Sequence, residues 1–386
     1  MLKVARIHTI PASFSHILDQ VNYLEKNNIS IDFISSSDAV YEQKIFEVTS
    51  KKIIPLYIPR EINIKNDLKA LVKLYIILRK NKYDIVHSST PKAGLLVGIA
   101  GFFARVPVRI HTFTGQRWVF MRGIKRFFFK FLDWFIIQLN HQCYTDAPSQ
   151  TSYLAKELNI KSKKLSDLGF GSYGGINRNR FPVFTEEEKT KFKAKLNIST
   201  KDKILLFLGR VNNDKGINEL VEAFYELIQI KDNVVLLIVG PYEESLDSLP
   251  IETKIKIEQS SKIRRIGFTN NPAEFYAIAD INLLPSYREG FGTVVLEAAL
   301  YKVPTIGTNI VGLIDAIINK TTGLLIPIKD SKALKNSILE LLNDQNLLNR
   351  LGNNSYLRVI EKFDFELISN QLLNEYRRLH TLYLKI

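Results

Sequence analysis

Glu289 and Glu297 bracket the stretch Glu289-Gly290-Phe291-Gly292-Thr293-Val294-Val295-Leu296-Glu297. The apolar run Ala279 to Ser286 reads as a strand leading in, and Val294 to Tyr301 as an amphipathic helix leading out. One carboxylate therefore falls in a loop and the other a turn inside a helix. The two glycines let backbone approach a ligand closely. The helix N-terminus offers free N–H groups and a positive dipole end to an anion. These parts suit a ligand that carries both a diphosphate and sugar hydroxyls.

A second constellation lies earlier, in Leu208-Gly209-Arg210-Val211-Asn212-Asn213-Asp214-Lys215-Gly216. An apolar strand ends at Gly209, two cations follow five residues apart, and a helix begins at Ile217. This spacing sets Arg210 and Lys215 beside a strand end, where Arg would fork onto phosphate and Lys would add a point charge. Two solvated surface cations are the bland alternative. In the first half, His111-Thr112-Phe113-Thr114-Gly115 closes another strand; His111 reads as a site residue or as a core histidine bonded to backbone.

The elements that must position these residues alternate strand and helix along the chain, the pattern of parallel sheets in the α/β class. Strands are predicted at Lys3–Thr9, Ser30–Ser35, Ile53–Leu56, Ile85–Ser88, Arg109–Thr112 and Gln142–Thr145. A second series runs Lys203–Leu208, Val234–Val239, Ile263–Ile266, Ile281–Leu284, Pro304–Gly307 and Gly323–Ile326. Two doubly wound, Rossmann-like domains are expected, 1–182 and 183–363, facing each other across a cleft. A C-terminal segment, about 364–386, is read as a helix pair crossing back to the first. Ligands in open α/β sheets bind beyond the strands' carboxyl ends, so the cleft is the expected site.

The 386 residues, 46% hydrophobic, suffice for two cores and exclude a disordered chain. A lone cysteine, Cys143, excludes an intramolecular disulfide and fits a reducing, cytoplasmic compartment. The longest apolar run, Gly94 to Phe103, falls short of the ~20 residues of a membrane span. No cluster of metal-ligand spacing occurs. Gly169-Phe170-Gly171-Ser172-Tyr173-Gly174 satisfies G-x-G-x-x-G but opens no evident helix, so it is not read as a dinucleotide fingerprint. Net charge is +14, and all of it lies in the first half: residues 1–180 hold 27 Lys/Arg against 13 Asp/Glu, residues 181–386 hold 26 against 26. That half is built to face something anionic.

Taken together, the Gly-Arg-x4-Lys-Gly pattern, Pro-Ser-x3-Glu-Gly-Phe-Gly-x4-Glu-Ala, Pro304-Thr305-Ile306-Gly307 and Thr322-Gly323-Leu324-Leu325-Ile326-Pro327 resemble family 4 glycosyltransferases, which retain anomeric configuration and have the GT-B fold. The resemblance spans nearly the whole second domain. It implies that Arg210 and Lys215 hold the donor diphosphate, that Glu289 lies by the transferred sugar, and that Glu297 takes the ribose hydroxyls. Gly209, Gly290, Phe291, Gly292 and Thr293 would line the donor, with Phe268 at the nucleobase. His111 would stand near the reacting carbon, and Ser13, Ser15 and Thr114 on the acceptor side. Catalysis without a metal or other cofactor is implied, cations and a helix dipole stabilising the leaving diphosphate.

Thr90-Pro91-Lys92-Ala93-Gly94 and Gly171-Ser172-Tyr173-Gly174-Gly175-Ile176-Asn177 resemble the subset that builds bacterial capsules, O-antigens and other surface polysaccharides. Two departures stand out. Asn177 replaces a usual Asp. The first loop, Pro11-Ala12-Ser13-Phe14-Ser15-His16, lacks the paired glycines of many relatives, which leaves that donor contact unassigned; Ser13 and Ser15 are instead candidate caps for a helix from Phe14.

Arg117 to Leu139 holds five cations, both tryptophans and six phenylalanines. A basic, aromatic, amphipathic helix of this kind binds at an anionic membrane surface; a core helix with a solvated basic edge is the alternative. The expected protein is thus a cytoplasmic, membrane-peripheral transferase that takes a sugar, an N-acetylhexosamine or a hexose, from a UDP-sugar to a lipid-linked saccharide. Two other readings stay open: a GT-B sugar-nucleotide epimerase, and a basic nucleic-acid-binding protein, for which no recognition motif is present.

Overall fold

A computed structural model describes residues 1–161, 163–244 and 247–384. The chain forms two compact units, Met1–Asn177 with Phe363–Ile386, and Arg178–Lys362.

The first unit is built on a seven-stranded parallel sheet in the order β3-β2-β1-β4-β5-β6-β7. Its strands are β1 (Leu2–Ile7), β2 (Ile29–Ser35), β3 (Ile53–Pro55), β4 (Ile85–Ser88), β5 (Val108–Phe113), β6 (Gln142–Thr145) and β7 (Leu165–Asp167). The central strands are buried on both faces, and β1, β4 and β6 enclose polar side chains there, Arg6, His87, Ser88, Gln142 and Thr145, among the apolar ones. One face packs under the Leu18–Lys26 and Phe365–Leu384 helices, the other under Ile64–Asn81 and Pro91–Phe103. The segment after Phe363 is one continuous helix where the sequence reading expects a pair: no breaker interrupts its 20 residues, and Ile368, Leu372, Leu373, Tyr376 and Leu379 recur at helical spacing to bury one stripe in the core.

The second unit holds a six-stranded parallel sheet, β10-β9-β8-β11-β12-β13. Its strands are β8 (Lys203–Leu208), β9 (Val234–Val239), β10 (Ile263–Ile266), β11 (Ile281–Leu284), β12 (Thr305–Thr308) and β13 (Gly323–Ile326). Each unit is thus a doubly wound parallel α/β sheet.

Two local expectations change. The chain after β1 does not open an α-helix capped by Ser13 or Ser15. Pro11 starts a 3-10 turn, Pro11–Ile17, at its first position; Ile10 occupies the cap without a side-chain bond, and the α-helix begins only at Leu18. Ser13 Oγ instead donates to the Ile10 carbonyl at 2.6 Å and meets His8 Nδ1 at 3.0 Å. The aromatic helix covers Gly123–Leu139 only; Arg117 to Phe120 form a turn pinned by Trp118, whose Nε1 donates to Asp133 at 2.6 Å. Burial pushes the Asp133 carboxyl up to about 7.

Candidate active site

In the second unit β8 and β11 are neighbours, but the chain leaves β8 toward β9 and β11 toward β12. The connections diverge and open a crevice at the carboxyl edge, the switch point where such sheets take ligands. After β8 the chain passes Gly209 and Arg210, makes the 3-10 turn Asn213–Lys215, and enters the Ile217–Leu227 helix at Gly216. Gly216 has φ +68°, and a Cβ there would lie 2.1 Å from the Pro285 carbonyl oxygen. Only glycine lets the turn press this closely on the end of β11. Lys215 is thereby brought onto Glu289, and the two form an ion pair with side chains 14% and 12% exposed. Ser286 Oγ donates to the same Glu289 oxygen at 2.8 Å.

A second tie holds the two loops together. Arg288 pairs with Asp214 at 2.8 Å, and Tyr287 N donates to the Asp214 carbonyl at 2.8 Å. Beyond Glu289 the backbone rests on Gly312, where a Cβ would meet the Gly290 oxygen at 2.4 Å. It then turns at Gly292, φ +87°, into the Thr293–Leu300 helix. Phe291 is buried beneath this loop. The N-terminal amides of that helix, Lys215 and Arg210 thus lie at one sheet edge, where the carboxylates of Glu289, Asp214 and Glu243 pair with Lys215, Arg288 and Arg210. Arg210 reaches Glu243 at 3.0 Å and keeps half its side chain in solvent.

Glu297, one turn into the helix, accepts from Tyr276 Oη at 2.8 Å. Burial holds its carboxyl above the ordinary range, and the tyrosine bond opposes the shift. In β10, Arg265 donates to the Gly240 carbonyl at 2.5 Å and stacks over Tyr242, while Phe268, beyond the strand end, is largely exposed.

His111, in β5 of the first unit, is fully buried. Its Nδ1 lies 2.9 Å from Ser88 Oγ, and its ring fills the space that a Cβ on Gly94 would occupy at 2.6 Å. Desolvation lowers its pKa to about 3, so the ring is neutral. Nε2 is buried without a partner among the described residues, as is Nε2 of His8. Thr114 follows at the same strand end, 3.5 Å from the Ser89 carbonyl, and Ser13 lies beyond β1; Ser15 is partly buried and makes no described hydrogen bond.

Arg210, Lys215, Glu289, Gly290, Phe291, Gly292, Thr293 and Glu297 therefore gather at one edge of the second unit. His111, Ser13 and Thr114 lie at the corresponding edge of the first. Sequence reasoning missed Ser286, Arg288, Asp214 and Glu243, which fix the charged groups. It also missed Arg6, buried in β1 without a carboxylate among the described residues and bonded to the phenols of Tyr173 and Tyr376. A cation inside the apolar run Val4-Ala5-Arg6-Ile7 was the available signal for it.

The model of Glycosyltransferase Family 4 matches residues 14–165, and that of Glycosyl transferases group 1 matches residues 188–358. The chain is 32% identical over 383 residues to the capsular polysaccharide biosynthesis glycosyltransferase CapM of Staphylococcus aureus, covering 97% of this chain and 96% of that protein. It is 26% identical over 309 residues to the UDP-Gal:alpha-D-GlcNAc-diphosphoundecaprenol alpha-1,3-galactosyltransferase of Escherichia coli, covering 79% and 78%. HepE of Anabaena, solved in complex with UDP and glucose, superposes with a TM-score of 0.82 at 15% identity, covering 98% of this chain and all of that one.

Proposed function

Since the chain belongs to family 4 of the retaining glycosyltransferases, we propose that it moves a hexosyl or N-acetylhexosaminyl group from a UDP-sugar to a lipid-linked saccharide during synthesis of a bacterial surface polysaccharide. The observation that carries this reading is the Lys215–Glu289–Ser286 cluster at the switch point, beside the Gly292 helix start. It offers cations to a diphosphate and a carboxylate to a sugar hydroxyl within one crevice. The UDP bound in the Anabaena structure and the diphosphoundecaprenol acceptor of the Escherichia coli relative support donor and acceptor class.

In this reading Lys215, Arg210 and the helix amides receive the diphosphate. Glu289, fixed by Ser286, accepts from a hydroxyl of the sugar. Glu297 takes the ribose hydroxyls, and Phe268 covers the base. The bond from the anomeric carbon to the phosphate oxygen breaks with its electron pair leaving on the diphosphate. The acceptor oxygen bonds to the same face of that carbon, and its proton passes to the departing phosphate oxygen. Charge develops on the diphosphate as the bond breaks, so fixed cations lower the barrier most at that moment. His111, neutral, serves as a hydrogen-bonding group near the sugar.

The acceptor calls for a membrane surface. On the Gly123–Leu139 helix the outward residues include Ile124, Phe127, Phe128, Phe131 and Trp134, with Lys125 exposed among them, while Arg126 and Lys130 pair with Glu157 at 2.8 and 3.1 Å. Among the described residues no helix is long and apolar enough to cross a membrane. The protein in this reading binds the cytoplasmic leaflet peripherally, through Arg117–Leu139.

A thermal-shift panel of UDP-, GDP- and dTDP-sugars tests the donor. A UDP-sugar at 100 times its Kd adds about 2.7 kcal/mol of stability. A shift with GDP- or dTDP-sugars and none with UDP-sugars would overturn the assignment.

A further inference from the structure

The helices Ile64–Asn81, Pro91–Phe103 and Gly123–Leu139 connect β3 to β4, β4 to β5 and β5 to β6. Each links the carboxyl end of one parallel strand to the start of the next, so all three run in the same direction on one face of the sheet. The middle helix packs against both of its neighbours. It is apolar nearly all round and mostly buried between them.

The first of the three departs from ordinary amphipathic design. Ala70, Leu74 and Leu78 bury its inner stripe. Its opposite stripe is also apolar: Leu68, Val72, Tyr75 and Ile76 face solvent, with Val72 57% and Ile76 55% exposed. A helix on a solvated surface would carry polar residues there. Lys65, Lys69 and Lys73, with Arg79 and Lys80, flank the stripe, all exposed and none with an acidic partner among the described residues. The middle helix continues the apolar surface at its end through Phe102 and Phe103, both more than half exposed. The aromatic stripe of the third helix completes it.

We infer that the Ile64–Asn81 helix is a second membrane-docking element, and that its outward stripe enters an anionic phospholipid surface together with the Gly123–Leu139 helix. This rests on the peripheral-membrane part of the proposed function and extends it to a surface three helices wide. Charge selects the occupant. The first unit carries 28 Lys/Arg against 16 Asp/Glu, the second 25 against 23. Unpaired lysines around an apolar stripe match a layer of acidic headgroups over acyl chains. They would repel a second copy of the same face. The helices begin at the carboxyl edge of the sheet, where Ser13, Thr114 and His111 lie, so docking through them holds that edge near the bilayer.

Full-length protein is sedimented with vesicles of phosphatidylglycerol and phosphatidylcholine mixed, and with phosphatidylcholine alone. Wild type is compared with Val72→Glu/Ile76→Glu, with Lys65→Ala/Lys69→Ala/Lys73→Ala, and with Phe127→Glu/Phe131→Glu. UDP-induced thermal stabilisation serves as the folding control. Wild type is expected to bind the anionic vesicles only, and both sets of changes on the Ile64–Asn81 helix to weaken binding at least roughly tenfold, about 1.4 kcal/mol, with the UDP shift intact. If those two variants bind like wild type while Phe127→Glu/Phe131→Glu does not, this inference fails and the single-helix reading stands. If wild type ignores all vesicles, both fail. A wild-type dimer in sedimentation velocity that Val72→Glu/Ile76→Glu converts to monomer would assign the face to a second copy and overturn the inference.

Discussion

Lys215 and Glu289 neutralise one another, each nearly out of solvent. A pair in this setting carries a desolvation cost that its own attraction only partly offsets. In the proposed reaction an arriving diphosphate would supply Lys215 with a stronger anionic partner, and a sugar hydroxyl would supply Glu289 with a donor in place of the ammonium. Removing the lysine should therefore reduce kcat by roughly 10²–10³-fold, as expected for loss of one fixed group facing developing charge. Glu289→Gln keeps the volume and the Ser286 contact but loses the carboxylate. It should retain UDP binding within a few-fold and lose sugar transfer to a similar degree. Steady-state kinetics with UDP titrations check both. Near wild-type turnover in either variant would remove that residue from the catalytic machinery.

At the level of elements, the site depends on two loops pressed together where side chains leave no room. Gly216→Ala adds a Cβ 2.1 Å from a carbonyl oxygen at φ +68°, a clash with backbone that cannot rotate away. The variant should lose about 2–4 kcal/mol of stability, a magnitude typical of backbone strain combined with overpacking, and should displace Lys215. Thermal unfolding and UDP affinity should fall together; an unchanged melting temperature would show that the turn has slack. Twelve of the strands and the parallel α/β class were legible from the alternation of apolar runs with helical segments, but β7 (Leu165–Asp167), only three residues long, and the order of strands within each sheet were not. Arg210, Lys215 and Glu289 were legible from spacing after strand ends. Ser286, Arg288 and Asp214 were not, because ordinary polar residues acquire a role only when two loops distant in sequence meet. The direction of the aromatic helix was also hidden: composition shows cations and aromatics, but not that Glu157 pairs with two of the five cations, Arg126 and Lys130.

For the molecule as a whole, the two units differ in how they must respond to acid. All six histidines belong to the first unit. Burial lowers the pKa values of His8, His87 and His111, the last to about 3, and nearby Arg6 lowers the first two further. Groups whose folded pKa lies below the unfolded value contribute stability above about pH 6.5 and lose it as pH falls toward the folded value. His111 alone should remove about 2 kcal/mol by pH 5. Asp133, raised to about 7, acts oppositely: its contribution is present below the ordinary carboxylate range and lost as pH rises through 7. Calorimetry between pH 7 and 5 should show the first unit's transition moving down more than the second's; equal shifts would mean that the histidines are hydrated.

Donor chemistry, acceptor and stereochemistry meet in a single experiment. The purified full-length protein is incubated with UDP-sugars and a polyprenyl-diphosphate-linked saccharide in the presence of a chelator, and the product is analysed by proton NMR at its anomeric positions. A metal-independent retaining transferase releases UDP and forms a new glycosidic bond with the anomeric configuration of the donor, unaffected by the chelator. An inverted linkage, or a donor converted without any acceptor, would contradict the proposed reaction.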